Sequence, residues 1–301
     1  MSTATVGRSV PLAALVALRP RQWLKNLLVF AAPLAAGSVL EVDVLWPTIG
    51  AFLVFCLASS GTYLINDIRD VTADQLHPTK RYRPIAAGQL GIAPAIALAV
   101  VLFVVALAAA WWIRPELAAV VAVYLLFTMS YSMGLKHEPV IELAVLSMGF
   151  LLRAVAGGVA SDLPISQWFL IVAGFGALFM ASGKRYCELS ALQASDAPAD
   201  NAQRKSLAGY TPSFLRFVWG LAAAVTVTAY CLWAFEVGAE PSTLAWAQWS
   251  VLPFVLGILR YAIDIDRGTA EAPEDAVMRD RVLLLIGLAW VILFGLGALG
   301  V

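Results

Sequence analysis

The sequence predicts an all-α membrane protein, a bundle of nine transmembrane helices, and three observations carry that prediction. Of its 301 residues, 61% are hydrophobic and 13% charged, against roughly 45–50% and 25% in soluble domains. Nine apolar stretches approach the ~20 residues that a helix needs to cross a bilayer core. The basic residues gather in alternate connections between those stretches, as orientation in a membrane requires.

The chain divides at its charged and Pro/Gly-rich breaks. The first stretch, Gln22–Val39, follows Arg19-Pro20-Arg21. The second, Leu45–Ile65, runs from Glu41 and Asp43 to an acidic cluster. Ile92–Ile113 lies between Gly91 and Arg114-Pro115, and Leu117–Gly134 ends at a glycine. Val140–Ala160 contains Glu142 and Arg153, and Gln167–Gly183 stops at Lys184-Arg185. Phe214–Phe235 follows Pro212, Leu244–Ile263 precedes Asp264, and Val282–Val301 closes the chain.

With the N-terminus inside, 18 of the 20 Lys and Arg residues fall on the cytosolic side; only Arg114 lies outside and Arg153 within a span. This split predicts an N-in, C-out protein of the bacterial inner (plasma) membrane, its active face cytosolic. Met1 to Pro20 lacks an apolar core followed by a small-residue cleavage site, so no removable signal peptide is expected. The chain reads as a single polytopic domain, 1–301, with 1–20 as an N-terminal cytosolic segment. Cytosolic loops at 66–91, 184–213 and 264–281 carry most of the charge and form a cap over one membrane face. A channel or carrier needs polar groups spread through its depth and matched broken helices in two halves, and no such repeat is evident. Zero net charge points away from nucleic acid. Nothing in the pattern demands a partner chain, and a homo-oligomer is compatible with it. Cys56, Cys187 and Cys231 are scattered and read as small apolar fillers.

Chemistry is suggested first at Asn66-Asp67-Ile68-Arg69-Asp70-Val71-Thr72-Ala73-Asp74. At about 100° per residue, a helical continuation of the second span places Asp67, Asp70 and Asp74 at about 0°, 300° and 340°, one stripe, with Asn66 about 40° from Asp70. Three carboxylates so close repel unless a cation sits between them. Mg²⁺ suits such a site, because it takes hard oxygen ligands from one or two carboxylates and substrate phosphates. A solvated acidic helix end is the plainer alternative. His77-Pro78-Thr79-Lys80-Arg81-Tyr82-Arg83-Pro84 follows, with cations suited to phosphate and two prolines that stop the helix. The tendency of cytosolic loops to be basic accounts for any one of these cations alone.

These residues resemble the UbiA superfamily of intramembrane transferases, whose acidic motif Asn-Asp-x-x-Asp-x-x-x-Asp is matched in full. The sequence is similar, more closely, to the decaprenyl-phosphate phosphoribosyltransferases. That likeness lies in Arg19-Pro20-Arg21-Gln22-Trp23-Leu24-Lys25-Asn26, His77 to Pro84 with Ile85-Ala86-Ala87-Gly88, Gly134-Leu135-Lys136-His137 and Gly183-Lys184-Arg185-Tyr186. It continues in Leu215-Arg216-Phe217-Val218-Trp219 and Arg260-Tyr261-Ala262. The resemblance implies a nine-helix fold and a Mg²⁺-dependent reaction, with one or two ions. In it, 5-phosphoribosyl diphosphate (PRPP) donates its phosphoribosyl group to decaprenyl phosphate, for cell-wall arabinan. An aromatic prenyltransferase of the same superfamily is the nearest rival. Those enzymes share a second Asp-rich motif after the sixth span, whereas here Lys184-Arg185-Tyr186-Cys187-Glu188 stands in that place, with only Asp196 and Asp200 beyond. Cations in place of carboxylates favour a donor with an additional phosphate and an acceptor that is itself a phosphate.

Asp67, Asp70 and Asn66 are therefore the expected catalytic residues, and Asp67, Asp70 and Asp74 the expected metal ligands. Lys25, Asn26, His77, Lys80, Arg81, Arg83, Lys184, Arg185, Tyr186 and Glu188 are expected to bind substrate. Glu142, Arg153, Arg204, Lys205, Tyr210, Asp264 and Asp266 rank below them. Glu142 and Arg153 share a helix face but stand about 16 Å apart along the axis, too far to pair.

Overall fold

The structure, a computed structural model, describes residues 10–194, 207–237, 245–270 and 279–298. Among them there is no strand. The α-helices are α1 (Val10–Ala17), α2 (Ala31–Ala35), α3 (Val42–Arg69), α4 (Val71–Leu76), α5 (Ile92–Ile113), α6 (Pro115–Met133), α7 (Ile141–Ala160), α8 (Gln167–Ala194), α9 (Pro212–Val237), α10 (Trp246–Trp249), α11 (Val251–Asp266) and α12 (Arg281–Ala298). Short 3₁₀ segments occupy Pro20–Phe30, Lys80–Tyr82 and Leu135–His137.

Seven of these helices, α3, α5, α6, α7, α8, α9 and α12, are long and apolar enough to cross a membrane. They coincide with seven of the nine expected spans. The stretch Gln22–Val39 is instead an eleven-residue 3₁₀ helix running into the five-residue α2. Leu244–Ile263 is divided between α10 and the sixteen-residue α11. Proline accounts for part of this: Pro20 opens the 3₁₀ segment, and Pro33 and Pro253, in the first turns of α2 and α11, lack the N–H that would bond back into the turn before. Two helices run well past the charged ends of their apolar stretches. α3 continues to Arg69 and α8 to Ala194, so part of the expected loop 184–213 is helix.

Sequential helices pack side by side, α3 on α5, α5 on α6, α6 on α7, α7 on α8 and α8 on α9. In a membrane, close van der Waals contact drives helix association and small residues permit it. α5 is apolar all round, yet Ala95, Ala99, Leu102, Ala106 and Ala110 form one buried stripe at three- and four-residue spacing. At Gly157 in α7, an added Cβ would lie 1.8 Å from the carbonyl oxygen of Val29. Only glycine lets the 3₁₀ segment Pro20–Phe30 lie directly on α7. Phe55, Val121, Tyr124 and Ala156 form one core between α3, α6 and α7, and Phe179, Leu215, Tyr261 and Ile265 a second between α8, α9 and α11. Trp46, Trp111, Trp112 and Trp249 are exposed. They sit at helix ends remote from the acidic cluster, where aromatic side chains anchor proteins at a membrane interface.

Candidate active site

The acidic cluster forms where α3 gives way to α4. Asp70, at φ −93° and ψ 6°, ends one helix and begins the other. Asp67 and Asp74 point inward and are buried at 2% and 3% exposure, while Asp70 is half-buried. Arg83 returns from the loop, and its Nη1 contacts Asp67 Oδ1 at 3.2 Å and Asp74 Oδ2 at 2.6 Å. Arg19 Nη2 lies 2.5 Å from Asp67 Oδ1, with its guanidinium 5.0 Å from the Tyr63 ring centre. Its backbone is left-handed (φ 54°, ψ 61°), a conformation that costs a non-glycine residue energy and recurs at functional sites. Asp70 faces elsewhere: its Oδ1 accepts from Lys136 Nζ at 2.8 Å and its Oδ2 from Asn66 Nδ2 at 3.1 Å. A cavity of about 300 Å³ adjoins, lined by Arg19, Asp67, Thr79, Tyr82 and Arg83 among others.

These positions decide how a divalent ion fits. Among the described residues, no three His, Cys, Asp or Glu side chains converge on one point, so the expected three-carboxylate set is not assembled. The kink at Asp70 turns that side chain towards Lys136. Asp67 and Asp74 do converge, on one nitrogen of Arg83. Two carboxylates completed by phosphate oxygens are a donor set that Mg²⁺ uses, so the residues fit the ion in this reduced form.

The second cluster joins three helices. Arg185 of α8 donates from Nε to Glu142 Oε1 of α7 at 2.8 Å, and from Nη2 to the same oxygen and to Tyr131 Oη of α6, the latter at 3.2 Å. Its Nη1 donates to Glu188, whose other oxygen is 3.7 Å from Lys184 Nζ. Tyr210 donates to Glu142 Oε2 at 3.2 Å and accepts from the Val140 N–H at 3.0 Å. Burial, opposed by that N–H bond and helped by the Glu142 carboxylate, pushes the Tyr210 phenol up to about 12. Val140 itself has φ 68°, a rare value for a β-branched residue. The end of α6 connects the two clusters, with Tyr131 touching the second and Lys136, just beyond, touching the first.

Other expected site residues lie elsewhere. Asn26 is fully buried: its amide donates to Ser59 Oγ (3.3 Å) and Cys56 Sγ (3.4 Å), and its Oδ1 accepts from Arg153 Nε at 2.7 Å. Asn26, expected to bind phosphate, is thus placed away from the cavity, with its side chain on a buried guanidinium. Arg153 also donates to the Gly149 carbonyl and the Tyr124 hydroxyl, at 2.7 and 2.9 Å. Glu142 and Arg153 have different partners. The His77 ring accepts from the Thr79 and Lys80 backbone N–H groups and so shapes its loop. Arg81 donates to the neighbouring Tyr82 hydroxyl. Tyr186 accepts from Arg216, which also pairs with Asp266; neither joins the pocket. Asp264 lies on the same stretch, with one carboxylate oxygen buried and unpartnered. Lys25 and Lys80 are half-exposed. Arg204 and Lys205 lie outside the described residues.

Arg19, Lys136 and Tyr131 join these clusters without having stood out as site residues in the sequence. Arg19 and Lys136 did belong to the basic cytosolic runs; Tyr131, inside an apolar span, gave no signal.

A multi-pass bundle whose paired carboxylates and cations gather at one helical end has the architecture of an intramembrane transferase. The chain belongs to the UbiA prenyltransferase family, which matches residues 26–283. It is 52% identical over 283 residues to the decaprenyl-phosphate phosphoribosyltransferase of Mycobacterium tuberculosis, covering 93% of this chain and 92% of that one. With the protein of the same name from Mycolicibacterium smegmatis, identity is 51% over 286 residues, 91% and 89% of the two chains. Among solved structures, a UbiA homolog from Archaeoglobus fulgidus bound to GPP and Mg²⁺ superposes with a TM-score of 0.69. That likeness spans 96% of this chain and 100% of the other at 16% identity.

Proposed function

We propose that this protein transfers the 5-phosphoribosyl group of PRPP to decaprenyl phosphate, releasing diphosphate. Identity of about half, over nine-tenths of the chain, to enzymes of that name is the observation that carries the proposal. The lipid product would feed cell-wall arabinan synthesis. The whole chain acts as one membrane domain with nine crossings, the broken segments at 20–35 and 246–266 being the two that length alone does not count. Its N-terminus and active site face the cytosol, its C-terminus lies outside, and the charged loops cap the site.

In the reaction, an oxygen of the acceptor phosphate attacks C1 of the ribose as the bond from C1 to diphosphate breaks. A divalent ion on Asp67 and Asp74 would neutralise charge on the departing diphosphate. Arg19 and Arg83 line the same cavity and would meet phosphate oxygens there. Lys184, with 44% of its side chain exposed, offers a cation to the acceptor phosphate. That phosphate is ionised near pH 7, so no general base is needed. In-line attack inverts the anomeric carbon.

The test incubates purified protein with labelled PRPP, Mg²⁺ and polyprenyl phosphates of several lengths. Lipid-linked phosphoribose is the expected product, greatest with the decaprenyl acceptor. No such product, with transfer from a prenyl diphosphate instead, would assign the protein to the prenyltransferases.

A further inference from the structure

We infer that Arg83 and Lys136 are exchangeable counter-ions, which leave the carboxylates for phosphate oxygens when a divalent cation arrives, so that metal and diphosphate bind as a coupled pair. The inference rests on the reading of the pocket as a metal–diphosphate site.

Three carboxylates, Asp67, Asp70 and Asp74, face three cations, Arg19, Arg83 and Lys136. The cluster is neutral as it stands and draws neither ion strongly. A divalent cation taking Asp67 and Asp74 must displace Arg83 Nη1, which touches both. Alone, it would leave a guanidinium uncompensated in a partly buried place, which is costly. Diphosphate alone would meet two buried carboxylates. Arriving together, the metal frees Arg83, and phosphate oxygens receive it as a charge-assisted partner. Lys136 has the same choice between Asp70 and phosphate.

The architecture allows the exchange. Arg83 directly follows the three-residue 3₁₀ turn Lys80–Tyr82, and Lys136 lies in another, Leu135–His137. Neither is fixed to a long helix, and their side chains keep 25% and 23% exposure. Arg83 also lines the 300 Å³ cavity. Arg19 is more constrained, lying over Tyr63 on a left-handed backbone. Coupling between ligands is reciprocal, so each should raise the affinity of the other, typically by about 5–150-fold.

Direct contact between metal and diphosphate would also couple them, so the discriminating measurement uses metal alone. Mn²⁺ binding to the full-length detergent-solubilised protein is followed by electron paramagnetic resonance, without PRPP or lipid. Arg83→Gln and Lys136→Met are each expected to bind Mn²⁺ about 5-fold or more tightly than the parent. At saturating Mn²⁺, the same variants should bind inorganic diphosphate more weakly. Arg83→Lys, which keeps the charge, should stay near the parent in Mn²⁺ affinity and guards against misfolding. Unchanged or weaker Mn²⁺ binding in both neutral variants, with Arg83→Lys intact, overturns the inference. Failure to make lipid-linked phosphoribose bears on the proposed function alone, because no transfer enters this measurement.

Discussion

Asp67 is held by two arginines from different parts of the chain, so its replacement tests chemistry more cleanly as Asn than as Ala. Asp67→Asn is expected to lower turnover by about 10²–10³-fold or more, with a melting transition still present; near-parent turnover would remove it from the site. Arg185 also bears on stability. Glu142 is 1% exposed and Arg185 is its cationic partner, so Arg185→Met leaves a buried carboxylate uncompensated at a cost of about 3–5 kcal/mol. Arg185→Met with Glu142→Leu should recover most of that loss in thermal unfolding, and a double variant as unstable as the single would show that the pair is not the cause. The carboxylates of the site were legible because acids at the end of an apolar helix have few uses besides binding. Their partners were not: Arg19 lies 48 residues from Asp67 and Lys136 lies 66 from Asp70. The partner of Asn26 was hidden for the same reason, Arg153 being 127 residues away. Local spacing carries no information about such pairs.

Helices were legible wherever hydropathy alone decided them, and less so where polar residues extend them. α3 and α8 continue past their apolar stretches through residues whose charges are paired, Asp67 with Arg19 and Arg83 in α3 and Arg185 with Glu142 and Glu188 in α8. Between α7, α8 and α9 lies an apolar cavity of about 430 Å³, lined by Leu143, Met148, Phe175, Leu178 and Phe214 among others. Val140, on its rim, bonds through its N–H to Tyr210, and Phe214 stacks on Tyr210 with ring centres 6.2 Å apart. The cavity thus reaches the second polar cluster, a position suited to the first isoprene units of an acceptor. Met148→Trp should raise KM for the polyprenyl phosphate on the order of 10-fold and leave that for PRPP unchanged; equal effects on both would exclude this path. At the start of α12, Asp280 accepts from the Val282 and Leu283 N–H groups and from Arg260. The guanidinium bond holds its carboxyl below the usual range. A depressed value stabilises the fold above the ordinary carboxylate pKa, about 3.9, and that contribution is lost as pH falls through the folded value. Asp280→Ala should therefore lower Tm near neutrality, and the difference from the parent should shrink in acid.

For the whole molecule, composition and the asymmetry of its cations made the membrane setting plain, because 61% hydrophobic residues cannot be enclosed by 13% charged ones. The closure of the bundle was not visible in the sequence, since it depends on contacts between the two ends of the chain. Orientation is testable with an impermeant thiol reagent on intact cells. Cysteine at Leu40, 76% exposed, should be labelled, whereas cysteine at Leu76, 84% exposed, should react only after permeabilisation; the opposite pattern would invert the topology. The end of α6 sets one further property. Tyr131 abuts Arg185 and Glu142, while Lys136 abuts Asp70, so a few residues of backbone set the spacing of the two clusters and, on the proposed function, would set the gap between the acceptor's phosphate and the departing one. An insertion of one residue between Tyr131 and Lys136 would leave each cluster able to bind its own ligand, yet hold nucleophile and anomeric carbon out of reach of each other.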